Sequence, residues 1–362
     1  MTGHSRDTPG QTPNATNTAT SLHHIFYQGI LLVLWLFASS LRQHRCRLQI
    51  GVVPVPELPQ LNGSVFLTDG GIETDLIFHR GAVLPEFASF VLHEDAVGET
   101  MLRDYFLDYF RIAGDAGLGL VLETATWRAS RDWGTKLGYD KARLRSVNQR
   151  AAAFMLALRA ADAGGTVVVS GCIGPRGDAY SDFGPASADE ATAYHLPQVE
   201  VLADSGVDLV TALTLTNVAE AIGFVRAARE RSTPAVVSFT VETDGRLPSG
   251  MSLAEAIEIV DAETDAAATY FMINCAHPDH FSSVLTGAAP GLLRVRGVRA
   301  NASRLSHAEL DDSPDLDDGD PNEFGAQLVA VNTTHEHIGV LGGCCGTDVR
   351  HIAAIAAAHR AG

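Results

Sequence analysis

Two of the chain's five cysteines are adjacent, in the stretch Gly342-Gly343-Cys344-Cys345-Gly346-Thr347. An apolar run at 338–341 leads into it and a segment of helical period follows. Neighbouring Cα atoms stand about 3.8 Å apart, short of the roughly 4.4–6.8 Å that a relaxed disulfide spans. Cys344 and Cys345 are therefore not expected to bond to each other. Thiols gathered on a strand-to-helix turn are suited to hold a metal or to act as nucleophiles. The flanking glycines let an ion or ligand come close to the backbone. A third thiol, Cys275, ends another apolar run, in Asn274-Cys275-Ala276-His277-Pro278. Three thiolates with one open position make a tetrahedral zinc site of catalytic type, and a soft sulfur set favours Zn²⁺ over hard cations.

A substrate thiol entering such a site is deprotonated, as coordinating thiols are. The thiolate can then displace an alkyl group from a donor held in line, with positioning supplying much of the acceleration. Water activation at zinc instead relies on His and carboxylate ligands beside a general base. The chain offers no such set, so thiol alkylation is preferred over hydrolase or lyase chemistry. Cys172 has no partner near it in sequence and is assigned to the core. His277 is read as a polar lid on its turn or as a further ligand or base.

These positions need a frame that brings distant turns together. Eight apolar runs occur, at 65–68, 118–126, 166–172, 207–215, 235–241, 270–275, 293–300 and 338–341. Stretches of helical period follow them, at 100–116, 141–163, 188–205, 218–231, 253–267, 280–286, 323–331 and 349–359. Continuous apolar strands separated by helices imply a parallel sheet buried on both faces. Eight such units predict a (β/α)8 TIM barrel, whose chemistry sits at the C-terminal ends of the strands. An open doubly wound sheet is the alternative. The ends of strands 6 and 8 are two apart around a closed barrel, so Cys275 can meet Cys344 and Cys345.

The net charge of -17 argues against a phosphate-backbone partner, and no nucleic acid is expected. An odd, sparse set of cysteines is not a disulfide framework, so functional thiols in the cytoplasm are expected. Residues 1–60 read as an extension outside the fold: a polar start, an apolar block at 30–38 and a Pro-rich linker. The block is shorter than the roughly 20 residues of a membrane span, and its basic cluster Arg42, Arg45, Arg47 follows it, the wrong side for a secretory signal. Membrane association is thus reduced to a weak N-terminal anchor. Residues 61–362 form the barrel domain. The acidic run at 309–320 is read as a solvated loop. A homo-oligomer stays open.

Taken together, Asn274-Cys275 and the Gly-Gly-Cys-Cys-Gly-Thr turn resemble the homocysteine S-methyltransferase family, with support from Asp69-Gly70-Gly71, Glu123-Thr124, Gly174-Pro175 and Asn301. The resemblance runs from about residue 67 to 359. It implies transfer of a methyl group to a zinc-bound homocysteine thiolate, giving methionine, with Cys275, Cys344 and Cys345 as zinc ligands. It also implies a substrate site built from Asp69, Gly70, Gly71, Glu123, Asn274 and Asn301. A small methyl-onium donor such as S-methylmethionine is expected, because the chain has no length to spare for folate- or cobalamin-binding modules. Two departures stand out. Ala125 and Trp127 replace the Asn and Phe of a Glu-Thr-Asn-Thr-Phe motif, and Leu213 falls where a glutamate usually holds the ammonium of homocysteine. Either another acid, Glu123 or Asp69, does that work, or the acceptor is a different small thiol. A non-catalytic zinc- or thiol-binding barrel is the remaining alternative.

Overall fold

The computed structural model describes residues 58–162, 164–179, 187–311, 313 and 315–362. The polar start and the apolar block at 30–38 lie outside the described residues. Eight parallel strands close into a barrel in sequence order. They are β1 (Phe66–Thr68), β2 (Gly119–Glu123), β3 (Val167–Ile173), β4 (Leu209–Leu215), β5 (Ala235–Phe239), β6 (Tyr270–Asn274), β7 (Val295–Ala300) and β8 (Val340–Gly343). Each lies within the expected run or one or two residues beyond it. The outer helices are α1 (Ala96–Ala116), α2 (Lys141–Ala161), α3 (Ala188–Asp204), α4 (Val218–Glu230), α5 (Leu253–Thr264), α6 (Pro278–Leu285), α7 (Pro321–Thr334) and α8 (Val349–Ala361). A side-chain oxygen or nitrogen of the residue before each helix accepts from its first backbone amides: Asp95, Asp140, Ser187, Asn217, Ser252, His277, Asp320 and Asp348. His277 is such a cap, its Nδ1 accepting from Asp279 N at 3.1 Å, which accounts for its place in the Asn-Cys-Ala-His-Pro turn.

Alternate side chains of each strand point into the barrel, and the inward set changes character with height. Phe66, Val121, Val168, Leu209, Val236, Met272 and Val340 form an apolar floor, closed from below by Leu58. One step up, Thr68, Glu123, Ser170, Thr211, Ser238, Asn274 and Arg299 make a buried polar layer. One step higher come Cys172, Leu213 and Cys344. The outward set, including Leu67, Leu122, Val169, Val210, Val237, Ile273 and Leu341, packs against the helices in the main core. The strands therefore read as unbroken apolar runs, although their inner halves turn polar toward the C-terminal end.

The paired glycines before the thiols are a packing requirement. A Cβ on Gly342 would fall on Thr68 Oγ1, and one on Gly343 on Thr347 Oγ1. A Cβ on Gly71 would strike the Cys344 carbonyl. Gly70 and Gly71 thus let the turn after β1 lie against the turn after β8, where Gly71 N donates to Thr347 O at 2.9 Å.

Candidate active site

Cys275 follows β6 directly, while Cys344 and Cys345 follow β8, so both turns open at the same end of the barrel. The backbone laces them together through the end of β7. Cys275 N donates to Arg299 O at 3.1 Å, Cys344 N to Ala300 O at 2.8 Å, and Ala302 N to Cys345 O at 3.2 Å. Cys275 has φ 55, a left-handed backbone that costs of order 1–3 kcal/mol for a non-glycine residue and persists where surroundings enforce it. The result is three sulfurs within 4.8 Å of one another.

Tetrahedral zinc with Zn–S bonds near 2.3 Å needs sulfurs about 3.8 Å apart. Cys275 Sγ and Cys345 Sγ lie at 3.6 Å, in keeping with that spacing. Cys275 and Cys344 are paired as a disulfide: the same proximity that suits a metal lets two of the three sulfurs bond. Reduced, the set has the number, softness and spacing of a zinc site with one open position. Cys345 is exposed and faces the mouth. Asn274 Nδ2 donates to Cys344 Sγ at 3.7 Å and is itself fixed by Thr214 Oγ1 at 2.8 Å.

A cavity of about 180 Å³ lies against the thiols, lined also by Trp127, Leu213 and Leu310. All six residues expected at the substrate site line it: Asp69, Gly70, Gly71, Glu123, Asn274 and Asn301. Asp69 is largely taken up by the protein, however. It forms a buried ion pair with Arg299 Nη2 at 2.8 Å and accepts from Tyr105 OH at 3.0 Å. Asn301 Oδ1 accepts from Ser303 N at 3.1 Å. Glu123 is buried, and that burial pushes its carboxyl up from the ordinary range to about 7 against the pull of Arg299.

Three features escaped sequence reading. Arg299 is 4% exposed and lines the cavity. Burial disfavours its charge, but Asp69 and Glu123 more than restore it, so it stays a guanidinium. Cys172, assigned to the core, borders the cavity as well; burial pushes its thiol far up, so it stays protonated. The acidic run is not simply a solvated loop. His307–Asp311 forms a short helix that brings His307 and Leu310 to the cavity wall, with His307 Nε2 at 2.7 Å from Cys275 O. Asp317 accepts from Ser303 Oγ and Asp318 pairs with Arg350. Leu213 faces the cavity as its place in β4 demands, and its carbonyl accepts from Trp127 Nε1 at 3.4 Å. No strand-4 carboxylate enters the site.

A family model for homocysteine S-methyltransferase matches residues 66–359, nearly the whole barrel. The chain belongs to the homocysteine S-methyltransferase family. It is 27% identical over 312 residues to homocysteine S-methyltransferase of Escherichia coli (strain K12), covering 81% of this chain and 94% of that relative. It is 25% identical over 203 residues to homocysteine S-methyltransferase YbgG of Bacillus subtilis (strain 168), covering 52% and 61% respectively. The fold is shared with the Escherichia coli homocysteine methyltransferase MmuM. Its metallated form superposes with TM-score 0.62 at 24% identity over 81% of this chain and 96% of that one. Its oxidized form gives 0.61 at the same identity, over 82% and 96%. This homocysteine S-methyltransferase family member is accordingly a methyltransferase enzyme with a small thiol acceptor and a methyl donor as substrates. Among the described residues no helix is long and apolar enough to cross a membrane.

Proposed function

We propose that the chain transfers a methyl group from a small methyl-onium donor, such as S-methylmethionine, to homocysteine, giving methionine, with zinc held by Cys275, Cys344 and Cys345. The observation that carries this is the convergence of three sulfurs within 4.8 Å against a cavity. Zinc, when bound, supplies the Lewis acidity that keeps an acceptor sulfur as thiolate at neutral pH. The protein's own residues do the rest. Asn274 donates to Cys344 Sγ and orients it. Trp127, Leu213 and Leu310 present an apolar wall that excludes water from the reacting sulfur. Asp69, Gly70, Gly71, Glu123 and Asn301 border the acceptor's remaining atoms. The Cys275–Cys344 disulfide must be reduced before all three sulfurs can serve.

The test uses reduced, zinc-supplemented protein with homocysteine and S-methylmethionine, read as methionine by mass spectrometry. About one zinc per chain is expected, and Cys275→Ala, Cys344→Ala or Cys345→Ala should each lose zinc and transfer together. Full zinc occupancy in Cys275→Ala would sink the ligand assignment. A second reading, methylation of another small thiol, is favoured by Leu213, and the same assay with other thiols decides it.

A further inference from the structure

Methyl transfer asks one cavity to hold a thiol acceptor and a methyl donor together. The cavity measures about 180 Å³, below the roughly 300–1,000 Å³ of pockets that take a drug-sized ligand. Part of its wall therefore has to give way, and most of that wall is fixed. Glu123, Cys172, Leu213, Asn274 and Arg299 sit on strands of a closed barrel. Gly71 N donates to Thr347 O, joining the turns after β1 and β8. Trp127 is held from both sides, its O accepting from Gly174 N at 2.8 Å and its Nε1 donating to Leu213 O at 3.4 Å. His307 and Leu310 differ, because the short helix His307–Asp311 brings them to the cavity from the connection between β7 and α7.

That helix stands on a fixed base. Asn301 Oδ1 accepts from Ser303 N at 3.1 Å, and Ser303 Oγ donates to Asp317 Oδ2 at 2.5 Å. Beyond them Asp318 pairs with Arg350, and its O lies 2.8 Å from His351 Nε2. Gly319, with φ 54, packs so closely on the outgoing chain that a Cβ there would fall 2.6 Å from Ala302 O. The chain that leaves at Ser303 and returns at Asp317 is thus pinned at its neck, as in an Ω-loop. Above the neck the attachment is slight. Every residue from Arg304 to Leu310 is exposed or half-buried. Arg304 pairs with Asp279 and Glu323, all three about half exposed, and exposed pairs hold weakly. Arg304 O accepts from His280 Nε2 at 3.1 Å, and His307 Nε2 donates to Cys275 O at 2.7 Å. A segment with few buried apolar contacts opens at lower free energy than the elements around it.

We propose that the helix His307–Asp311 is a lid over the sulfurs. It swings about the Ser303–Asp317 neck, breaking the contacts of Arg304 and His307 to admit acceptor and donor. Closing brings Leu310 back onto the cavity and removes water from the reacting sulfur. This rests on the reading of the cavity as the site of transfer and names what controls entry to it. Leu310 and His307 are gating residues, with no part in the methyl transfer itself. Asp317 and Asp318, from the acidic run, serve as the base on which the lid turns.

The test reads access to a thiol beneath the lid. Cys172 lines the cavity from β3, four strands around the ring from β7, and is 4% exposed. Cys345 is exposed at the mouth. Reduced, chelator-treated, full-length protein is alkylated with N-ethylmaleimide at one pH, and both sites are followed by peptide mass spectrometry. In wild type the Cys172 rate should stay nearly constant across low urea concentrations, the mark of a local opening. A rate that climbs with urea as steeply as global unfolding overturns the lid, because Cys172 is then reached only through the unfolded chain. The double variant Arg304→Ala/His307→Ala should speed Cys172 by about 10-fold or more, the effect of losing a charge-assisted hydrogen bond. The Cys345 rate and the insensitivity to urea should persist in it. Leu310→Ala, which removes no side-chain hydrogen bond, should speed Cys172 as well and serves if the double variant fails to fold. Unchanged Cys172 rates in folded variants overturn the lid. Substrate and metal are absent throughout. Protein with the gated pattern that transfers no methyl keeps the lid and loses the proposed reaction, whereas methyl transfer with Cys172 ungated loses only the lid.

Discussion

Glu123 gives a stability signature that needs no substrate. The residue is 6% exposed, and desolvation lifts its carboxyl from 4.5 to about 7. The unfolded chain gives up that proton near the lower value and the folded chain near the upper. Between them the native state holds the extra proton, so stability falls as pH rises through the window. At about 1.4 kcal/mol per pH unit the loss approaches about 3 kcal/mol by pH 8. Glu123→Gln keeps the shape and removes the titration. Its stability relative to wild type should therefore climb by up to about 3 kcal/mol from pH 4.5 to pH 8, on top of any constant offset from the amide. The charged and titratable groups acting on Glu123, namely Arg299 and Asp69, are present in both proteins, as is Cys172 across the layer, so they cancel in the difference. Urea unfolding of reduced, metal-free protein, followed by circular dichroism at half-unit pH steps, supplies the measurement. A difference that stays flat across the window, or falls with pH, would refute the argument and with it the buried neutral acid.

Gly342→Ala drives a methyl onto Thr68 and should destabilise the barrel by about 1–3 kcal/mol, with reduced zinc content; an unchanged unfolding midpoint and full metal would contradict the packing account. Leu213→Glu should bring no gain in homocysteine kcat/KM, because two buried acids, Glu123 and Asp69, already line the cavity that would take its ammonium. A gain of about 10-fold or more would move that contact to strand 4. Removal of residues 1–56 should leave a folded protein that keeps its zinc, since the plug formed by Leu58 and Gln60, whose Nε2 donates to Tyr270 OH at 3.4 Å, remains. Loss of zinc on that truncation would mean the deleted segment supports the barrel.

The eight strands were legible because burial on both faces writes them as unbroken apolar runs, and their ends marked where Cys275, Cys344 and Cys345 had to lie. Asp69 and Glu123 were legible as acids at strand ends, but not their fates: nothing along the chain tells that Asp69 meets an arginine 230 positions away. Arg299 stood at the expected end of strand 7 but was given no role, because β7 also carries Arg296, so an arginine there reads as ordinary strand charge. Only the closed barrel, by fixing which alternate residues point inward, separates the two. The run at 309–320 misled for the opposite reason. Its density of carboxylates reads as solvated, while Leu310 within it and His307 just before it are what the cavity uses. The meeting of the β6 and β8 turns was legible from the barrel, but not that Cys275 and Cys344 would come close enough to pair.

The strand that closes the barrel also carries two of its three sulfurs. β8 pairs with β7 on one side and with β1 on the other, and Cys344 and Cys345 follow it 69 residues or more after Cys275. While the chain is being synthesised, everything up to β7 emerges with only one of the three clustered sulfurs and with two open sheet edges. Capture of a metal by the three sulfurs, as proposed above, would therefore have to wait for ring closure, and the ion would tie β6 to β8 across β7. Such an ion would be a latch as well as a reagent: protein loaded with it would be, by construction, protein in which the last strand has found the first.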